Sequence, residues 1–323
     1  MNRLFLFGFF VVLPFDALAM PRFAVQQGVS CSACHANPTG GGARNSYGSG
    51  VFVRQILSAN YGGEESPVPL VDGSIGENIQ IGTDIRATYM HGFPRAIVPE
   101  ERAIEEMGSF FLMQGDLYLT AQLGPHVSFY YDQGTYGSQE IFTMLHYGAA
   151  TFKAGKFVPA YGWRIPDHTL YIREPQGFGP REKDTGVSMI LDHPHATMEV
   201  GAFNGAGADS MFDRDMHRAY VGRFEARYSG DRLNLHLGSS GYLNVVGDGE
   251  ERTRALRFGG FGGMAYGRLA YLFELDEFRD KPDRNHRIVG YAAFNELSLV
   301  VLEGVQLAGT YEFRDPNEKI SDD

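Results

Sequence analysis

The chain has 323 residues and carries 39 Asp+Glu against 28 Lys+Arg, an acidic balance that excludes a nucleic-acid partner. Gly (41), Phe (24) and Tyr (17) are plentiful while Cys (2) and Trp (1) are scarce, and the length suits one large domain or a small one joined to a larger one. After the N-terminus no apolar run reaches the roughly 18 residues of a membrane-crossing helix, which leaves a soluble protein or a β-barrel.

Residues 1–19 read as a secretory signal. Arg3 supplies the positive n-region, residues 4–13 a short apolar stretch, and Ala17-Leu18-Ala19 a small-x-small cleavage site before Met20. The apolar run is too short for a comfortable membrane anchor.

The two cysteines stand together in Cys31-Ser32-Ala33-Cys34-His35, the C-x-x-C-H pattern of covalent c-type haem attachment. Two thiols at this spacing reach the two vinyl groups on one porphyrin edge, and the adjacent His supplies the proximal nitrogen to iron. A disulfide, a redox C-x-x-C and half a zinc site are the competing readings. A redox motif belongs in a βαβ pattern, absent here, and a structural zinc site needs a second Cys/His pair that does not follow. The motif therefore predicts one haem c, with thioethers at Cys31 and Cys34 and His35 as the proximal ligand. Its sixth ligand is open among Met90, His91, Met107, His126 and His146. Export agrees with this reading, because bacterial c-type attachment is made outside the cytoplasm.

Residues 37–42 (Asn-Pro-Thr-Gly-Gly-Gly) are turn chemistry, residues 47–57 predict one short helix on the haem edge, and residues 62–76, with Pro67 and Pro69, read as a linker. The haem segment is thus set at 20–76. It is too small for a rich core of its own, and a flat apolar cofactor would supply much of the missing burial.

From residue 77 the hydrophobic period changes to two. Ile79, Ile81, Ile85 and Ala87 alternate with Gln80, Asp84, Arg86 and Thr88, and Leu117, Leu119, Ala121 and Leu123 with Asp116, Tyr118, Thr120 and Gln122. The pattern returns at 127–132, 224–228, 233–237, 269–275 and 305–314. A soluble β-sandwich and a transmembrane barrel both fit such strands. Runs near ~10 residues favour the barrel, as do aromatics near strand ends: Tyr130, Tyr131, Tyr220, Tyr228, Tyr242, Tyr266, Tyr271 and Tyr291. So do tight turns such as 229–231 alternating with long polar connections at 164–184, 205–217 and 279–285. The predicted fold is an all-β, antiparallel transmembrane β-barrel of about 12–14 strands over residues 77–323. Residues 315–323 read as an inter-strand loop instead of an apolar closing strand, as in a shortened barrel or an unusual tail.

Pro21-Arg22-Phe23-Ala24 and Gln26-Gln27-Gly28 ahead of the haem motif resemble the start of the fused monohaem c-type cytochrome–porins. That family's Ala-Arg-Gln-Thr-Gly is matched by Ala24-Val25-Gln26-Gln27-Gly28. Its Asn-x-Phe-Gly-Arg-x-Phe is matched loosely by Asn45-Ser46-Tyr47-Gly48 and Phe52, without the Arg. Residues 155–164 with Asp167-His168-Thr169 resemble a segment of related outer-membrane barrels. The resemblance implies a porin-like barrel in the outer membrane with an N-terminal cytochrome segment. It implies single electrons moved across that membrane, of the iron(II):cytochrome c oxidoreductase type. The implied partners are extracellular Fe(II) or another redox donor or acceptor, a periplasmic electron-carrier cytochrome and outer-membrane lipid. No catalytic residue is assigned.

Three further constellations read as structural first. Asp192-His193-Pro194-His195 is a turn between strands before it is a surface metal site. Asp209, Asp213, Asp215 and His217 form a solvated acidic loop before an iron-attracting one. Arg223, Glu225 and Arg227 line a lumen. The alternatives are a porin-like channel whose haem serves sensing or structure, and a soluble periplasmic cytochrome with a β-sandwich domain.

Overall fold

The computed structural model describes residues 21–57, 73–92, 107–135, 139–165, 170–207, 212–213, 215–247, 252–281, 287–302 and 305–317. The predicted signal at 1–19, most of the predicted linker, His168, Asp209 and the tail after 317 lie outside them. A helix α1 (Pro21–Gln27), a 3-10 turn (Cys31–Ala33) and a π-helical stretch (Tyr47–Leu57) precede the strands. The strands are β1 (Ser74–Ile75), β2 (Ile79–Gly92), β3 (Met107–Gln122), β4 (Val127–Gln133), β5 (Gln139–Tyr147), β6 (Ala150–Phe157) and β7 (Asp184–His193). There follow β8 (Ala196–Phe203), β9 (Ala219–Ser229), β10 (Leu233–Val246), β11 (Thr253–Tyr266), β12 (Leu269–Lys281), β13 (Ile288–Leu302) and β14 (Val305–Asp315).

All 14 strands form one sheet in sequence order, each antiparallel to the next. Among the described residues no ladder joins β14 back to β1. An all-next-neighbour meander this long, with no second sheet among the described residues to pack on, excludes the sandwich.

The two faces of the sheet decide the architecture. Along β5, Glu140, Phe142 and Met144 are buried while Ile141, Leu145 and Tyr147 are exposed. Across the sheet the outward face is apolar: Phe110 is 82% exposed and Leu237 64%. The inward face holds ions: Glu140 is 0% exposed and Lys153 1%. Apolar-out and charged-in is the inverse of a soluble core, and it is the pattern of a strand between lipid and a polar lumen.

Two chain segments fill that interior. Residues 21–57 touch β2 through Ser49 and Gln80 (3.0 Å), β4 through Ala43 and Tyr130 (3.2 Å), and β6 through Asn37 and Lys153 (3.4 Å). They reach β10 through Gln26 and Asn234 (2.8 Å) and β13 through Arg22 and Glu296 (3.1 Å). One short segment meets strands this far apart only if the sheet wraps around it. The connection 158–183 between β6 and β7 fills the rest. Its Trp163, Ile165, Leu170 and Ile172 form a cluster with Val25 of α1 and with Phe261, Leu272 and Phe294 of the wall. The sequence reading took 164–184 as a long polar connection; the chain there turns inward, because these four large apolar side chains are buried against α1 and the wall.

The connections alternate by length. Those at 123–126, 148–149, 194–195, 230–232, 267–268 and 303–304 are short, and those at 93–106, 158–183 and 204–218 are long. Asp192, Ser229 and Asn234, all next to short turns, contact or approach residues 26–32. The N-terminal segment therefore occupies the short-turn half of the lumen. Two tyrosines expected near strand ends are interior instead: Tyr130 is fully buried, stacked on Phe142 at 4.6 Å, and Tyr242 packs edge-on against Phe178.

Candidate functional site

The C-x-x-C-H segment is a tight, internally bonded turn. The Cys34 and His35 amides donate to the Cys31 carbonyl at 3.2 and 3.0 Å, and Asn45 Nδ2 donates to the carbonyls of Ser32 and Ala33, each at 3.1 Å. His35 pairs with Arg44 across a single antiparallel bridge, so the chain doubles back under the motif. The reversal runs through Gly40, Gly41 and Gly42, all at positive φ (88°, 75° and 59°). A Cβ on Gly42 would also collide with the Tyr130 hydroxyl.

Cys31, Cys34 and His35 line one cleft. Its other walls are mostly apolar (Phe23, Val29, Phe52), and two guanidiniums, Arg44 and Arg164, stand on its border. Both thiols are free. Burial, reinforced by Glu225, pushes the Cys31 thiol up to about 11, and burial also raises Cys34. Such thiols stay protonated at neutral pH, the opposite of the lowered pKa that a redox C-x-x-C or a zinc thiolate needs. Burial, with Arg44 and Arg164 nearby, pushes the His35 imidazole down to about 4, so it is neutral and has a lone pair to offer. Its Nδ1 is buried with no hydrogen-bond partner. Paired thiols, a neutral imidazole, an apolar slot and two cations placed to meet carboxylates fit a c-type haem.

The wall holds this segment with residues that sequence reasoning did not assign to it. Asp192 Oδ2 accepts from Ser30 Oγ (3.1 Å) and Ser32 Oγ (2.5 Å), the residues flanking Cys31, while its Oδ1 takes Thr197 Oγ1 (2.6 Å) and Arg227 Nη2 (3.2 Å). Asp192 is thus an anchor, and His193 and His195 beyond it form the turn with exposed rings 5.5 Å apart. Arg164 spans from the cleft to the wall: Nη2 donates to the fully buried Glu140 at 2.7 Å and Nη1 to Thr39 Oγ1 at 3.4 Å. No periodicity marks these residues; only an acid or base on a lumen-facing register position hints at a partner inside.

Arg223, Glu225 and Arg227 do line the lumen. Arg223 donates to the Gly162 carbonyl (2.9 Å) and to Glu225 (2.5 Å), and Glu225 also meets His236 Nδ1 at 2.9 Å. In the acidic loop the two described carboxylates are spent on the chain itself. Asp215 accepts from the amides of His217 (2.8 Å) and Gly247 (2.7 Å), bonds that hold it below the usual carboxylate range, and Asp213 pairs with Arg218 (2.5 Å).

Of the expected sixth ligands, His146 has both ring nitrogens engaged, with Ser128 Oγ at 2.8 Å and Thr151 Oγ1 at 3.2 Å, and His126 is exposed at a turn. Met90 and His91 lie ten and eleven residues along β2 from Gln80, which touches the N-terminal segment, a separation of at least roughly 33 Å. Met107 opens β3 at that same far end. Neither His126 nor His146 lines the cleft, and the backbone of the other three lies at the far end of β2 and β3.

Wrapped sheet, apolar exterior and charged, filled interior define an outer-membrane porin-type β-barrel. No protein-family model matches the chain, and no curated protein does. Among solved structures it is similar to the anion-selective porin from Comamonas acidovorans, with 13% identity and a TM-score of 0.51 over 75% of this chain and 79% of that one. OmpT of Vibrio cholerae aligns at 10% identity and a TM-score of 0.48 over 75% and 77%. At such identity the first likeness establishes the fold alone.

Proposed function

We propose that this barrel is an outer-membrane electron conduit, with one haem c held at Cys31 and Cys34 and its iron bound by His35. The observation that carries the reading is the position of the motif: two free thiols and a neutral imidazole whose Nδ1 has no hydrogen-bond partner line a mostly apolar cleft inside a filled lumen. Covalent haem would supply a one-electron Fe(III)/Fe(II) couple there. The chain's own residues do the rest. Arg44 and Arg164 offer cations to propionate carboxylates. Asp192 fixes the residues on either side of Cys31, and residues 158–183 exclude bulk water from the long-loop side. In bacterial barrels the short turns face the periplasm. That orientation puts the motif near a periplasmic electron-carrier cytochrome and leaves the long-loop side to an extracellular donor or acceptor, Fe(II) among them. A lumen filled by two segments disfavours an open, porin-like channel whose haem serves only sensing or structure.

The test is stopped-flow haem absorbance on outer-membrane vesicles with Fe(II) added outside only. Rapid reduced-haem bands support an inward conduit. Reduction by dithionite but not by external Fe(II) removes iron as donor, and absence of covalent haem overturns the reading. His35→Ala is expected to abolish electron exchange while the barrel still inserts.

A further inference from the structure

An iron bound by His35 has a second axial position, and what the chain offers there decides its chemistry. Apart from the motif, its glycine turn and two arginines, the cleft is walled by Pro21, Phe23, Ala24, Val29, Ser30 and Phe52. Phe23 and the buried Phe52 meet edge to face, ring centroids 5.7 Å apart. Alkyl and phenyl carbons give a metal no lone pair, and a guanidinium is a donor with no acceptor site. The Ser30 hydroxyl is turned away to Ser32 (2.7 Å) and Asp192 (3.1 Å). Among the described residues that line the cleft, His35 is the one imidazole, and there is no methionine. Histidines outside the five weighed from sequence are committed elsewhere. His193 and His195 form an exposed turn, and His217 lies in the outer loop. His236 is the nearest competitor: it is buried beside Trp163 with Nδ1 on Glu225 at 2.9 Å, and its Nε2 has no partner. It does not line the cleft either.

We infer that the wall of Phe23, Val29 and Phe52 leaves the second axial position free for a small uncharged diatomic ligand, of which carbon monoxide is the type, and that such a ligand arrests electron flow; as a regulation of the same site, the inference rests on the conduit reading. Apolar walls suit a ligand that loses little hydration on entry, and they oppose an anion, whose desolvation is costly. Binding is by donation of the carbon lone pair to ferrous iron. One coordinate bond forms, none breaks, and no electron or proton is transferred. Because the bond is made to the reduced state, the ligand holds that state and stops the alternation of oxidation and reduction on which a conduit depends.

The test uses the purified full-length protein in detergent, with covalent haem first measured by pyridine haemochrome absorbance. Carbon monoxide added to the dithionite-reduced wild type is expected to shift the Soret band saturably. The midpoint potential is expected to rise by about 59 mV for each tenfold of carbon monoxide above its Kd, as for a one-electron couple. Phe52→Trp narrows the cleft and is expected to slow carbon monoxide rebinding after a light flash. Phe110→Trp, on the lipid face, is expected to match the wild type, and heat-modifiable gel migration checks that each variant folds. A haem-loaded wild type whose reduced spectrum ignores carbon monoxide overturns the inference and leaves the conduit reading in place. A response that appears only in His236→Ala overturns it too, and names His236 as the residue filling the position. A folded F52W that rebinds as fast as the wild type overturns the part given to the wall. Absence of covalent haem defeats the conduit reading and this inference together, and the haemochrome result tells that failure from the others.

Discussion

The two segments that fill the lumen are held in different ways. The connection 158–183 brings its own core: Trp163, Ile165, Leu170, Ile172 and Phe178 are all buried. It also fastens itself by ions. Arg173 Nη2 meets Glu274 at 2.5 Å, Tyr161 Oη donates to Asp276 at 3.1 Å, and the Trp163 amide donates to Glu274 at 2.9 Å. The N-terminal segment buries far less apolar surface, with Val25, Ala43 and Phe52 as its buried hydrophobics among the described residues, and it surrounds an open cleft. One is a self-sufficient plug. The other is a polar-anchored cradle around that cleft. Under the proposed reading, the contrast assigns stability and cofactor chemistry to separate pieces of chain within one wall.

The largest effect should come from breaking the plug. Arg173→Met leaves Glu274 and Asp276 buried without their cation, an expected loss of about 3–5 kcal/mol, read by urea titration of the folded barrel in micelles. The variant should also raise single-channel conductance in planar bilayers, and unchanged stability together with unchanged conductance would refute the plug. The cradle should respond to its cofactor instead. Replacing both Cys31 and Cys34 with Ser is expected to speed hydrogen exchange in residues 21–57 while 158–183 and the strands keep their protection; equal loosening of both segments would erase the distinction.

Asp192→Ala removes the acceptor for Ser30, Ser32, Thr197 and Arg227. About 1–3 kcal/mol is expected from the groups left unpaired, with a shifted haem midpoint potential as the sign that the cradle moved. The smallest effect belongs to the outer loop. Asp215 has a folded-state pKa below its ordinary value of 3.8, so its contribution is present above that value and is lost as pH falls through the lowered one. Proteolysis at 204–218 should rise below about pH 4 in the wild type, and D215N should show the faster cleavage already at pH 7.

Much of the wall was legible in the sequence, for a physical reason. A strand between lipid and lumen must alternate, so the runs at 127–132, 224–228, 233–237 and 305–314 announced β4, β9, β10 and β14. Tight turns marked the short connections, and the strand count of 14 falls within the expected 12–14. The inward course of 158–183 was not legible, because its apolar residues follow no period and its polar groups are satisfied by distant strands, β5 as well as β9–β12. The burial of Tyr130 was hidden for a related reason: an aromatic on a strand reads the same whether it faces headgroups or a glycine turn such as Gly42.

By itself the sequence determined the alternating wall, the turn lengths and the spacing of Cys31, Cys34 and His35, since each depends on residues close along the chain. Tertiary structure alone decided which face meets lipid, that the motif lies inside the wall, and that Asp192 and Arg164 meet it there. Those facts depend on residues more than a hundred positions apart meeting across a wrapped sheet, and such meetings leave no local pattern to read.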